Sequence, residues 1–286
     1  MPRKKLGAEF SRVFREDGAW YAIRRTGIWI VRRGLQWIGL ELHDPVYRRQ
    51  IYLSRKLAAS LGSTIAYGPF RGLRFGTRTW WAGAERSAML LGIYEQELLN
   101  AIVEASSGRT VFVDIGAADG YYGIGVLKAG LFDKSHCFEA SSKGRTIITS
   151  NALLNGVEAR LVVHGPAQRG FHTEIPPDDL QRAVLLLDIE GGEFDILDAE
   201  TFHALRKCII FVELHDRLFV DAPAKRAQLL ADASKTHEWR EITTTSRDLS
   251  VFPELDDLGD TDRWLLCSER RAWRMTWLRF DPALAE

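Results

Sequence analysis

The sequence predicts an α/β fold built on an open, mostly parallel sheet. Three observations predict it. The run Val111-Phe-Val-Asp114 reads as a buried strand, and it passes through a glycine-rich turn, Gly116-Ala-Ala-Asp-Gly120, into residues 121–129, which read as a helix. Strand and helix patterns alternate from there on, which implies parallel strands joined by right-handed crossovers. The run Ala183–Leu187 is wholly apolar, as a central strand buried on both faces must be.

The chain has 286 residues, 46% hydrophobic and 27% charged. That suits one α/β domain with an extension, and it supplies enough apolar material for a core. The expected division gives 1–62 as a basic, tryptophan-rich helical extension and 63–286 as the α/β domain. Residues 1–56 hold 13 Lys/Arg against 5 Asp/Glu, and the remainder 25 against 33. The extension is therefore a separate electrostatic object. Cys137, Cys208 and Cys267 lie in or beside apolar runs. An odd number at wide spacing is neither a disulfide framework nor a zinc pattern, so they read as buried thiols. No cleavable leader pattern follows Pro2-Arg-Lys-Lys5. No stretch reaches the roughly 18 uncharged apolar residues of a membrane span, and the longest candidate, 28–40, is broken by Arg32 and Arg33. A cytoplasmic protein is expected.

In residues 1–60, Phe10, Val13, Phe14, Trp20, Ile23, Trp29, Ile30, Trp37 and Ile38 recur at mixed helical spacing between arginine pairs. Such helices can cap the domain or form the arm of a homo-oligomer. They can also lie on an anionic membrane surface, tryptophans at headgroup level, which would make the protein peripheral to the membrane. Nucleic acid as a partner finds no support elsewhere in the chain. Gly68-Pro-Phe-Arg-Gly72 punctuates 64–82 as turns around short strands; Trp80 and Trp81 there either pack or stack on a sugar ring. Residues 85–105 read as a helix, with Met89, Leu90, Ile93, Leu98, Leu99, Ile102 and Val103 on one broad face.

The turn after Asp114 is a nucleotide cradle. Its glycines let backbone approach a ligand, and the following helix offers unpaired N–H donors. The spacing is Gly-x-x-x-Gly, whereas the turn that seats a dinucleotide pyrophosphate is Gly-x-Gly-x-x-Gly. The next apolar run, 135–140, brings Glu139 to a strand tip 23 residues beyond Gly116. An acid there accepts both ribose hydroxyls of an adenosine. The two features describe an adenosine-containing cofactor at the carboxyl edge of the sheet.

Residues 141–155 read as the second helix, 160–163 as a short third strand ending at His164-Gly165, and 166–180 as a loop around Pro176-Pro177. Ala183–Leu187 delivers Asp188, Glu190 and Glu193 within six residues. Ligands bind at such strand ends, and crowded carboxylates need a cation, a proton or a donor. The run 209–215 reads as the neighbouring strand and ends in Glu213 and His215. A helix over 222–234 and two late strands, 239–243 and 263–267, follow. Residues 270–279 are basic and aromatic again, and can pack against the extension.

Val113-Asp-Ile-Gly-Ala-Ala-Asp-Gly120 resembles the first motif of class I S-adenosylmethionine-dependent methyltransferases. Phe138-Glu-Ala-Ser141, Leu187-Asp-Ile-Glu-Gly-Gly-Glu193 and Phe211-Val-Glu-Leu-His215 resemble pieces of the FkbM family within that class, in its order, over roughly residues 65–270. The resemblance implies a Rossmann-like seven-stranded, mostly parallel sheet with an antiparallel C-terminal hairpin. It also implies S-adenosylmethionine as cofactor, held by Glu95, Asp114, Gly116, Ala117, Asp119, Gly120, Tyr121, Glu139, Ala140 and Asp188. Glu95 enters because the family carries a similar Tyr-Glu before the first strand, where it can face the methionine end. The Gly68-Pro-Phe-Arg-Gly72 segment is similar to one that precedes the family's catalytic domain, which implies a lid or substrate wall. Many class I enzymes place an acid after the third strand to meet the adenine amino group; His164-Gly165 stand there in this chain, so a backbone group would take that contact.

Methyl transfer from a sulfonium is an in-line displacement, to which a protein contributes alignment, dryness and sometimes a base. A hydroxyl on a saccharide, polyketide or lipid-linked glycan is a poor nucleophile, so O-methylation needs proton removal or a metal. His215 suits the base by its ordinary pKa; Asp188 and Glu190 are the alternatives, as base or as hydroxyl acceptors. Asp188, Glu213 and His215 can also hold a divalent cation, magnesium or manganese, if their strands are neighbours. The expected protein is an O-methyltransferase acting on a small-molecule or glycan acceptor. Two other classes compete. A nicotinamide-dependent oxidoreductase would want the missing dinucleotide turn. A membrane- or partner-recruited binding module with a non-catalytic methyltransferase fold would not need the acids at 188, 190 and 193.

Overall fold

A computed structural model describes residues 44–79, 83–271 and 273–283; the expectations for residues 1–43 and for Trp80 and Trp81 lie outside them. The chain separates into two units, Met1–Arg49 and Gln50–Glu286. The second carries the sheet. Its strands are β1 (Val111–Ile115), β2 (Lys134–Phe138), β3 (Leu161–His164), β4 (Ala183–Leu187), β5 (Ile209–Glu213), β6 (His237–Thr243) and β7 (Thr276–Pro282). They lie in the order β3-β2-β1-β4-β5-β7-β6. The first five are parallel, and β7 runs antiparallel between β5 and β6. This is a Rossmann-like seven-stranded, mostly parallel sheet with an antiparallel C-terminal hairpin. The order reverses between β1 and β4, which opens a crevice at their carboxyl ends.

The helices are α1 (Pro45–Ser60), α2 (Arg86–Leu90), α3 (Gln96–Ala105), α4 (Tyr121–Lys128), α5 (Ser142–Asn155), α6 (Pro177–Leu180), α7 (Glu193–Ile196), α8 (Ala199–Ala204), α9 (Ala222–Ala233) and α10 (Asp260–Cys267). Successive strand residues point to opposite faces, so the sheet builds two cores. Phe112, Val184, Leu186, Phe211 and Trp277 join residues of α1, α3, α4 and α5 in one. Val113, Leu185, Val212 and Leu278 join residues of α8 and α9 in the other. None of the helices among the described residues is long and apolar enough to cross a membrane.

Three local expectations need correction. Residues 85–105 are two helices, not one. Gly92 breaks them at φ +69°, and Glu95 is left-handed as well. The N–H groups of Ile93 and Tyr94 both turn back to the Ala88 carbonyl. Residues 263–267 belong to α10 rather than to a strand. Gly259 caps it, Asp260 and Asp262 sit in its first turn, and the last strand comes later, at β7. An apolar run of five residues fits either element; the alternation Trp277, Leu278, Phe280, buried on both faces, is what fits an interior strand. In 64–79 one antiparallel bridge, Thr64 with Arg74, stands in place of the expected short strands.

Register sets the functional edge. Ile115 pairs with Phe138 and with Leu187, so Gly116, Glu139 and Asp188 leave the sheet at one level. Leu187 pairs with Val212, which puts Glu213 on the rung beside Asp188. His215 follows two residues later.

Candidate active site

A cavity of about 510 Å3 opens where β1, β2 and β4 end. Ile115, Gly116, residues 138–140 and residues 188–190 line it, opposite residues 166–168. A smaller cavity of about 50 Å3, lined by Tyr94, Asp114, Ala117, Asp119 and Tyr121 among others, shares Gly116, Ala118 and Asp188 with the first.

The turn between them is tied to β2. The N–H groups of Gly116 and Ala117 both donate to the Phe138 carbonyl, at 2.9 and 3.0 Å. Gly116 has φ +93°, and a Cβ there would run into the Asp188 carbonyl oxygen, so only glycine serves. Gly120, also left-handed, starts α4. Buried Asp114 accepts from the Gly123 N–H at 2.9 Å; burial pushes its carboxyl up to about 7. It braces β1 against α4 and borders the smaller cavity alone. Asp119 borders that cavity too and accepts from the Thr79 hydroxyl. The Tyr121 hydroxyl beside it is buried and has no hydrogen-bond partner.

Glu139 spends both oxygens on backbone. Oε2 accepts from the Ala118 N–H at 2.9 Å and Oε1 from the Ser141 N–H at 2.7 Å. Each oxygen retains a further lone pair, and Glu139 and Ala140 line the large cavity. His164 does not line it. Its ring stacks on Phe138, centroids 4.2 Å apart, and bonds the His136 ring at 2.9 Å. Pro166, Ala167 and Gln168 present themselves to the cavity instead.

Glu95 lines neither cavity. Its buried carboxylate accepts from the Tyr122 hydroxyl at 2.6 Å and pairs with Arg271.

At the β4 and β5 ends, four carboxylates ring the His215 imidazole. Nε2 lies 3.7 Å from Asp188 Oδ1, 3.6 Å from Glu190 Oε2 and 4.0 Å from Glu213 Oε1, while Nδ1 lies 3.4 Å from Glu193 Oε1. Their roles differ. Glu193 is fully buried and accepts from the backbone N–H groups of Gly191 and His215, both at 2.9 Å; it ties the loop after β4 to the end of β5. The Asp188 and Glu190 side chains are 37% and 59% exposed, and Glu190 is held at φ +53°. Glu213 is 1% exposed; its Oε1 meets Arg271 at 2.6 Å, and its Oε2 has no hydrogen-bond partner. Burial pulls the His215 pKa down, but Glu193, Asp188 and Glu190 outweigh it and raise the imidazole above its ordinary value. Burial raises both Asp188 and Glu213; His215 pulls Asp188 back, and Asp188 pushes Glu213 further.

The structure thus brings Gly116, Glu139, Ala140, Asp188 and Glu190 to one cavity, and Asp188, Glu190, Glu213 and His215 to one cluster. Asp114, Ala117, Asp119 and Tyr121 sit at the smaller cavity. Sequence reasoning missed Arg271 and Tyr122. Arg271 reaches 176 residues back to Glu95, and its only local signal is a basic, aromatic stretch.

No protein-family model matches the chain, and no curated protein matches it. Solved structures do. A Streptococcus pneumoniae protein provisionally assigned as a tRNA (m1A22) methyltransferase, solved with S-adenosyl-L-methionine, is 13% identical over 65% of this chain and 72% of that one, with a TM-score of 0.43. The B. subtilis m1A22 tRNA methyltransferase is 10% identical over 64% of each chain, with a TM-score of 0.43. A ribosomal protein L11 methylase from Lactobacillus delbrueckii subsp. bulgaricus is 15% identical over 73% of this chain and 84% of that one, with a TM-score of 0.42. The fold assignment stands on the strand order itself.

Proposed function

We propose that the chain is an S-adenosylmethionine-dependent methyltransferase of the FkbM-like kind, acting on a hydroxyl of a saccharide, polyketide or lipid-linked glycan. The observation that carries this reading is the cavity that runs from Glu139 past Gly116 to Asp188 and Glu190. It has an acid for a ribose at one end and a carboxylate–imidazole cluster beside the other. The residues present fit the cofactor: backbone at Gly116 admits close approach, Glu139 retains lone pairs, and the Tyr121 hydroxyl lacks a partner. Gly116, Ala117, Glu139, Ala140 and Asp188 would hold it. When bound, it supplies an electrophilic methyl group on a sulfonium.

The chain's residues then have to orient a hydroxyl and take its proton. Asp188 and Glu190 are exposed enough to accept from it. The cluster around His215 is the proton's destination. A raised imidazole is free to accept only as pH climbs past its pKa, so the rate should rise through a limb above the ordinary 6.5.

Calorimetric titration with S-adenosylmethionine and, separately, NAD tests the cofactor. Micromolar S-adenosylmethionine binding is expected, lost in Glu139→Ala; NAD binding in its place would make the chain an oxidoreductase. His215→Ala should keep cofactor binding and slow transfer by about two to four orders of magnitude. An unchanged rate would remove His215 from the mechanism.

A further inference from the structure

We propose that Asp188, Glu213 and His215 form a divalent-cation site that activates the acceptor hydroxyl. The inference rests on the methyltransferase reading and divides the labour within the cluster. One ligand atom from each residue lies within 4.8 Å of the other two. Donors bound at about 2.1 Å to one octahedral ion stand roughly 3–4.2 Å apart, so a small side-chain adjustment closes the site.

Two observations point to a cation beyond the crowding of acids. Glu213 Oε2 is buried in a residue 1% exposed and lacks any hydrogen-bond partner; bulk water does not reach it. The second concerns the ring of His215, nine-tenths buried. Its Nδ1 faces Glu193 at 3.4 Å, a carboxylate locked by two backbone N–H groups. That Nδ1 is buried and makes no hydrogen bond, while Nε2 faces Asp188 Oδ1 and Glu213 Oε1 at 3.7 and 4.0 Å. Once Nε2 has lost its proton, its lone pair facing two carboxylates is repulsive, and a cation at their centre turns the repulsion into attraction.

Two carboxylates and an imidazole suit Mn2+ or Mg2+. Asp188 is open to the cavity, so the outward positions fall to water and to acceptor oxygens. A hydroxyl oxygen bound there becomes more acidic. With Nε2 on the cation, the proton passes not to the imidazole but to the Glu190 carboxylate, the exposed acid of the cluster. The alkoxide oxygen then supplies the electron pair of the new C–O bond, while the pair of the broken C–S bond stays on sulfur. Chelation favours an acceptor with a second oxygen donor on the neighbouring carbon.

Titration of the full chain with Mn2+, followed by electron paramagnetic resonance without S-adenosylmethionine, tests the site. The wild type should take up one tight Mn2+ per chain. Asp188→Asn should weaken it at least about tenfold, while Asp195→Asn, an exposed acid of the same cavity, should leave it within about twofold. Glu213→Gln should weaken it too, but it disturbs a buried ion pair, so the solvent-open Asp188 variant decides. Absence of stoichiometric Mn2+ binding, or equal losses in the Asp188 and Asp195 variants, overturns the proposal. Neither result touches the cofactor reading, which stands or falls on the calorimetry.

Discussion

Asp114 is a carboxylate the fold keeps dry. Burial raises it to about 7 from an ordinary 3.8, despite the Gly123 N–H that favours its charged form. The folded chain therefore holds a proton that the unfolded chain releases near pH 3.8. Below that pH both states hold it, and there is no cost. Between about pH 4 and 7 the fold loses stability as pH rises, and above 7 the cost is complete, at most about 4 kcal/mol. Asp114→Asn retains an oxygen for Gly123 and removes the titration. Urea unfolding should find this variant more stable than wild type at pH 8 and level with it near pH 4; parallel pH curves would contradict the assignment. Glu139 shows the opposite economy. Glu139→Gln replaces one accepting oxygen by an amide that faces the Ala118 or Ser141 N–H. The unliganded protein should lose about 1–3 kcal/mol, read as a lowered midpoint in denaturant.

Among the elements, the break between α2 and α3 yields a prediction whose sign separates two structures. Were residues 85–105 one helix, Gly92→Ala would stabilise it by about 1 kcal/mol. With Gly92 at φ +69° and a Cβ blocked by the Tyr67 carbonyl, the same change should destabilise by about 2 kcal/mol or more. The break matters because it turns Glu95 toward Tyr122 and Arg271 and frees the Ile93 carbonyl for Arg247 Nε at 3.0 Å. Four of the five parallel strands were legible in the sequence as short, mostly apolar runs ending in an acid or a turn, while β2, Lys-Ser-His-Cys-Phe, was legible chiefly from its place between two helices and the acid at its tip. The late elements were not. Residues 263–267 are apolar enough for a strand, and only their docking, with Leu266 and Cys267 buried and Trp264 exposed, makes them a helix.

For the whole molecule, the expected boundary at residue 62 meets a helix that the core uses. Leu53 and Leu57 of α1 belong to the main core, and Gln50 Nε2 donates to the Ser268 carbonyl at 2.8 Å. A chain begun at residue 61 should lose about 3–6 kcal/mol. One begun at residue 44 keeps that packing and the Asp44 carboxylate that accepts from the Val46 N–H. Thermal melts of the two chains should differ clearly, and equal midpoints would count against α1 as part of the domain. The membrane-surface reading of the basic extension expects the full chain to float with anionic vesicles and the 44–286 chain to stay behind; equal partitioning removes it.

The parallel sheet, the glycine-rich turn, the acids at 139, 188, 190 and 213 and the imidazole at 215 were legible from local pattern, since strand period, turn geometry and residue chemistry act over a few positions. Which acids line the cavity and which brace the fold was decided only in three dimensions. Asp114, Glu95 and Glu193 look like Asp188 and Glu190 along the chain, yet backbone N–H groups, Tyr122 or Arg271 hold them. Those partners lie up to 176 residues away, and a carboxylate's work depends on what the folded chain brings within about 3 Å of it.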